Sequence, residues 1–230
     1  MSSTDRIRNY LFASGLDRLG DHTAVIEKSI HDLIGQLNTP MDVSADSLYR
    51  YPVPKLSDDG ACSLIEEMDP TPYDLSRLLG GESDANTRKL KLLNIVVTRL
   101  SLMTGADWVG IYQRQSVRGG ESLVKLAYRG RPSRAEFPLT EAFARGSTNS
   151  RVGLDGLALV VDDVGKHVAS GAGFYVCDDQ VQSEMCLPIL DEAGKTLGII
   201  DAEAQPLSFF NDERQCALVA AALVVPALLP

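Results

Sequence analysis

The cysteine at position 177 lies in a polar run, Tyr175-Val-Cys-Asp-Asp-Gln-Val-Gln-Ser-Glu184, that leads directly into the apolar stretch from Met185 to Leu190. A thiol in a polar loop, with the Glu184 carboxylate seven residues on at the mouth of a strand, has the composition of a pocket. Such residues could do nucleophilic and acid–base chemistry, because the thiolate is the reactive form of cysteine and a carboxyl can hand on a proton. The competing reading is structural, since cysteine is also among the most buried residue types.

The elements that must position these groups are legible in the hydrophobic pattern. Val25, Ile26, Ile30, Leu33, Ile34 and Leu37 recur at helical spacing and predict an amphipathic helix over Asp21 to Leu37. Asn38 to Pro72, with five prolines among Asp and Ser, reads as a connecting arm. A second helical stripe, Leu90, Leu93, Val96, Val97, Leu100 and Met103, stops at Gly105. Trp108 to Gln113 and Leu123 to Tyr128 then form a hairpin across Arg118-Gly119-Gly120, with Val124, Leu126 and Tyr128 alternating against Lys125.

Farther on, Pro132 to Gly156 gives only a helical hint at Glu141 to Arg145, Leu157 to Val161 reads as a strand, and Gly165 to Gln182 as a long loop. Glu184 to Leu190 and Thr196 to Ala202 make a second hairpin through Asp191 to Gly194, and a closing helix starts near Asn211, a fair N-cap. The sum is an α+β domain, an antiparallel sheet with helices on one face, at residues 76–230. Residues 1–75 are an N-terminal helical extension and arm.

Composition removes several function classes. With 44% hydrophobic and 23% charged residues the chain can bury a core, and a formal charge of −9 with no basic run argues against nucleic acid as a partner. His22, His31 and His167 are scattered, so no metal site is expected, and there is no P-loop or dinucleotide fingerprint. Four cysteines, at 62, 177, 186 and 216, lack CxxC spacing and suit reduced thiols in a cytoplasmic protein. The N-terminus lacks a signal-peptide layout, and the apolar run from Cys216 to Pro230 is too short for a membrane span and reads as a packed helix.

Three stretches together resemble a GAF domain and, within that superfamily, the free methionine-(R)-sulfoxide reductases. They are Ala106-Asp-Trp-Val-Gly-Ile-Tyr112, Cys177 with Ser183-Glu184, and Leu197-Gly-Ile-Ile-Asp-Ala-Glu203, within a likeness that covers roughly residues 82–225. The resemblance implies thiol-dependent reduction of free L-methionine (R)-sulfoxide, with Cys177 as nucleophile and no cofactor. Glu184, Asp201 and Glu203 cannot all ionise cheaply in one small pocket, so one of them would hold the proton that the sulfoxide oxygen needs. Glu184 and Asp201 are thus catalytic candidates. Glu203 would help to take the substrate's ammonium group, Trp108 and Tyr112 would wall the site, and backbone amides near Asp178 to Gln180 would hold the carboxylate.

The sequence departs from the family where its two further cysteines usually stand. Arg134 and Ala144 occupy those positions, and Glu203 replaces a common Asp. Resolution of the oxidised Cys177 would then fall to Cys186, which period-two alternation puts on the face of Glu184, or to Cys62 on the arm; Cys216 is read as structural. A thioredoxin-like reductant would restore the thiol, and the terminal helices would pair in a homodimer. The alternative is a non-catalytic GAF module that binds a small ligand or mediates dimerisation.

Overall fold

Short polar caps and apolar stripes, in chain order, give the first elements: α1 (Ser3–Ala13), a 3-10 turn over Asp17–His22, α2 (Thr23–Gln36) and α3 (Ala45–Tyr49). The computed structural model describes residues 2–57 and 67–230, so Cys62 lies outside the described residues. The described parts of the arm carry regular pairing that its prolines do not suggest. A ribbon of β1 (Arg50–Tyr51) with β2 (Tyr73–Asp74) and a bridge between Pro54 and Met68 fold it back on itself.

The predicted helix at Leu90 to Met103 is α4 (Asp84–Thr104), with Leu90, Leu93, Val96, Val97 and Leu100 buried and Met103 exposed. It stops at Gly105, as expected. The expected hairpin is β3 (Trp108–Val117) with β4 (Gly120–Arg129); its turn holds Arg118 and Gly119 at φ 50° and 83°, the positive values that match the twist of a tight hairpin. Next come β5 (Glu136–Pro138), α5 (Glu141–Ala144), α6 (Thr148–Asp155), β6 (Leu159–Val161) and α7 (Val164–Ala169). The second hairpin is β7 (Ser183–Leu190) with β8 (Thr196–Ala204), and α8 (Asp212–Val224) closes the chain, capped by the Asn211 side chain accepting from Arg214 N at 3.1 Å.

The main sheet has six strands in the order β5-β4-β3-β8-β7-β6, all pairs antiparallel. One face carries α4 and α8 over a core of aliphatic side chains, and α1 and α2 pack into that same core, with Ile7, Leu11, Ile26 and Leu33 buried in it. Tyr10 of α1 donates to the carbonyl of Pro188 at 2.8 Å. Pro188 is tolerated within β7 because β6 pairs only with Glu184, Met185 and Cys186, leaving an open edge beyond them.

The sheet is covered on both sides, where the sequence predicted helices on one. Phe137, Leu139 and Val152, from β5, α6 and the link between them, pack against Trp108, Tyr112, Leu123, Cys186 and Ile199 of the second face. α6 was not expected because its first turn, Ser147 to Ser150, is polar, yet Thr148, Asn149 and Ser150 are buried. No helix among the described residues is long and apolar enough to cross a membrane.

Candidate active site

Register on three adjacent strands assembles the site. Asp201 of β8 lies between Gly110 of β3 and Cys186 of β7, and Glu203 lies between Trp108 and Glu184. Because side chains alternate across a strand, these residues and Tyr112 project to the second face. Trp108, Tyr112, Cys177, Glu184, Asp201 and Glu203 line one cavity of about 10 Å³, room for one water molecule. Thr148, Asn149, Ser133, Phe137 and Tyr175 complete its wall.

Two predicted residues stand apart. Asp178 faces a larger outer groove of about 580 Å³, where it lies 3.7 Å from Arg131. Its carboxylate also accepts from the Gln180 amide at 2.9 Å, so that amide is already engaged rather than open to a substrate carboxylate. Cys186 is on the expected face but fully buried beneath the cavity. Cys177 is disulfide-bonded whereas Cys186 and Cys216 are free thiols, so the bond at Cys177 is not made with Cys186. Burial and the neighbouring Asp201, Glu184 and Glu203 charges hold the Cys186 thiol well above its ordinary pKa, which makes it a poor nucleophile.

The carboxyls are differentiated by their partners. Thr148 Oγ1 donates to Glu184 at 2.6 Å and Asn149 Nδ2 donates to Asp201 at 3.0 Å. Burial, then the Asp201 and Glu203 charges, push Glu184 well above the usual carboxylate range. Burial raises Asp201 to about 6, with the Asn149 amide opposing the rise. Of this pair Glu184 is therefore the more readily protonated and Asp201 the more readily ionised, while burial and the Asp201 and Asp178 charges push Glu203 up as well. Glu184 Oε2 and Asp201 Oδ1 have no hydrogen-bond partner among the described residues, and both are buried. Glu184, Cys186 and Asp201 bring ligand-type atoms within 4.8 Å of one another.

Aromatic rings fix the walls. Trp108 Nε1 donates to Arg131 O at 3.0 Å, and Tyr112 OH donates to Arg134 O at 3.4 Å, so the Tyr112 hydroxyl is already engaged. Arg134 caps the site from outside, its guanidinium 4.9 Å from the Phe143 ring and donating to Tyr175 OH at 2.9 Å.

The family assignment rests on sequence. A model of the GAF domain family matches residues 89–228. The chain belongs to the GAF domain family. Among solved structures, this GAF domain is similar to a type II free methionine-R-sulfoxide reductase from Thermoplasma acidophilum, with TM-score 0.53 and 19% identity over 64% of this chain and 94% of that one. It is also similar to a structure described only as the GAF domain, with TM-score 0.56 and 15% identity over 90% and 88% of the two chains. A free methionine-R-sulfoxide reductase from Neisseria meningitidis gives TM-score 0.49 at 23% identity, covering 64% and 80%. Likeness at these identities is one of fold. No curated protein is similar in sequence.

Sequence reasoning missed Lys125, Thr148 and Asn149. For the latter two the available signal was the N-cap run Ser147 to Ser150 ahead of Val152, the start of a short helix. Lys125, expected on the solvent side of β4, is fully buried. The pairing of β3 with β4 slips between Ile111 and Tyr112: Ile111 opposes Ala127 but Tyr112 opposes Lys125, so Leu126 is the extra residue of a β-bulge. The bulge turns Lys125 and Tyr128 to the same face although they are three apart, leaving Leu126 and Ala127 in the helix-side core.

Proposed function

We propose that this GAF domain reduces free L-methionine (R)-sulfoxide to methionine, with Cys177 as the nucleophile. The observation that carries this reading is the single cavity shared by Cys177, the Glu184–Asp201–Glu203 carboxyls and the Trp108 and Tyr112 rings. The Cys177 thiolate attacks the sulfoxide sulfur while protonated Glu184 delivers its proton to the oxygen. The oxygen ends on cysteine: sulfoxide and thiol become thioether and sulfenic acid, so sulfur of the substrate is reduced and Cys177 oxidised. The Asp201 carboxylate holds the substrate ammonium, with the Glu203 carboxyl beside it as a further oxygen acceptor, and the rings contact its methyl-thioether end.

A second thiol then condenses with the sulfenic acid, forming the disulfide and releasing water. Neither Cys186 nor Cys216 makes the bond at Cys177. The sequence leaves Cys62, outside the described residues, as the resolving candidate. An external dithiol, of the thioredoxin kind, reduces the bond from the outer groove, which Cys177 also lines.

Turnover of the free sulfoxide by full-length protein with dithiothreitol tests the reading: steady turnover is expected, and Cys177→Ser reduces it at least a thousandfold. Full retention by that variant, or no turnover by the wild type, removes the proposal. Membership of the GAF domain family alone supports a second reading, a GAF module that binds a small ligand or pairs with a second copy; binding without turnover selects it. Mass spectrometry after one turnover identifies the resolving thiol, with Cys62→Ser expected to leave Cys177 without its disulfide.

A further inference from the structure

Cys186 is a thiol that the proposed chemistry leaves idle, since it is free and takes no part in the bond at Cys177. It pairs across the β7–β8 ladder with Asp201, and Glu184 stands two residues before it on the same face. Its sulfur, one oxygen of Glu184 and one oxygen of Asp201 all lie within 4.8 Å of one another. All three residues are buried.

Hydrogen bonding leaves this cluster with acceptors to spare. Thr148 and Asn149 donate once each, to Glu184 and Asp201. Glu184 Oε2, Asp201 Oδ1 and Asn149 Oδ1 have no hydrogen-bond partner among the described residues, and their residues are 2%, 1% and 5% exposed. A buried acceptor without a donor or a cation is costly. A dication would serve these oxygens and the sulfur together.

We propose that Glu184, Cys186 and Asp201 form a binding site for a divalent cation of the zinc kind, with the fourth position open to the Asn149 amide oxygen, and that the bound ion excludes turnover. Tetrahedral zinc, with sulfur at about 2.3 Å and oxygens at about 2.0–2.2 Å, spaces its ligand atoms roughly 3.4–3.6 Å apart. The cluster meets that spacing with small side-chain movements, because its atoms are already within 4.8 Å. One thiolate among oxygens selects zinc over magnesium and calcium, which take oxygen ligands. The ion displaces the thiol and carboxyl protons and ends the repulsion among its ligands, as zinc sites do. Entry is from the outer groove, which shares Trp108, Ser133, Cys177 and Glu203 with the cavity. Scattered histidines exclude a histidine-built site, and this one needs none. Exclusion of turnover rests on the reductase reading: the ion takes the Asp201 oxygen meant for the substrate ammonium and the place of the Glu184 proton.

Cobalt is the spectroscopic probe, titrated into full-length Cys177→Ser protein reduced with a phosphine, so that the reactive thiol does not compete. One equivalent gives a near-ultraviolet sulfur-to-cobalt charge-transfer band that excess magnesium does not remove, and adding Cys186→Ala abolishes it. Cys186→Ser, which keeps the side-chain volume, abolishes it equally if the alanine variant does not fold. Absence of the band, or its survival without the Cys186 sulfur, overturns the site. For the exclusion of turnover, reduced wild-type protein with no added reductant makes one equivalent of methionine from the free sulfoxide; one equivalent of zinc slows this at least about tenfold, and EDTA restores it. An unchanged rate with zinc bound overturns the exclusion. No methionine with or without zinc removes the reductase reading, and the cobalt band still decides the site.

Discussion

The two faces of the six-stranded sheet are built from the same strands and carry opposite contents. Toward the long helices, β3 sends Val109 and Ile111, β7 sends Met185, Leu187 and Ile189, and β8 sends Ile200 and Ala202, all buried and apolar. Toward α6, β3 sends Trp108 and Tyr112, β7 sends Glu184 and Cys186, and β8 sends Asp201 and Glu203. Removing alkyl groups from water is favourable in proportion to area, whereas a carboxyl taken from water costs free energy unless it is neutralised or hydrogen-bonded. One face thus holds the fold together, and the other is tolerated because the first stabilises it. That division is what a site rich in buried acids requires.

The sharpest way to break this comparison is to weaken the helix face alone. Leu93→Ala, at a fully buried position of α4, lowers stability by about 3 kcal/mol in denaturant titration while activity per folded molecule is retained. Loss of activity in the folded fraction would show that the faces are not separable.

The next effect has the opposite sign on the site face. Asp201 is raised from 3.8 to about 6 in the folded protein, so its contribution to stability is full below the unfolded value and lost as pH rises through the folded one. Asp201→Asn matches wild type near pH 4 and becomes more stable above pH 6 by on the order of 2–3 kcal/mol, while sulfoxide turnover falls. Equal melting temperatures at pH 7.5 would show that the buried carboxylate carries no such penalty.

The smallest effect is local. A Cβ at Gly110 would come within 2.1 Å of the Trp108 indole, which lies over that glycine across the strand. Gly110→Ala displaces the ring at a cost of about 1–2 kcal/mol, and Trp108 is the single tryptophan, so fluorescence reports the displacement directly. Unchanged emission would mean that the wall adapts without moving the ring.

Legibility in the sequence followed the same division. α4 was readable because its buried positions recur at helical spacing against one apolar core, α8 because its run from Cys216 is apolar throughout behind the Asn211 cap, and the hairpins because their turns need positive φ. α6 and α7 were not, for different reasons. α6 buries polar residues toward the site, which reverses the usual pattern, and α7 has no buried residue to leave a stripe. Lys125 was misplaced because a bulge leaves no mark in the local alternation, and Tyr51 was passed over because the arm's prolines concealed a strand.

By itself the sequence determined the two long amphipathic helices, the two hairpins, and the strand face shared by Glu184 and Cys186, because hydrophobic period and turn chemistry act within a few neighbouring residues. Only the tertiary structure decided that the Cys177 loop closes over the Glu184–Asp201–Glu203 cluster, that Thr148 and Asn149 serve those carboxyls, and that Tyr51 reaches Lys125. The Thr148, Asn149 and Tyr51 contacts join residues dozens of positions apart. Register, a single bulge and the path of the arm fix them, and none of the three is written in local periodicity.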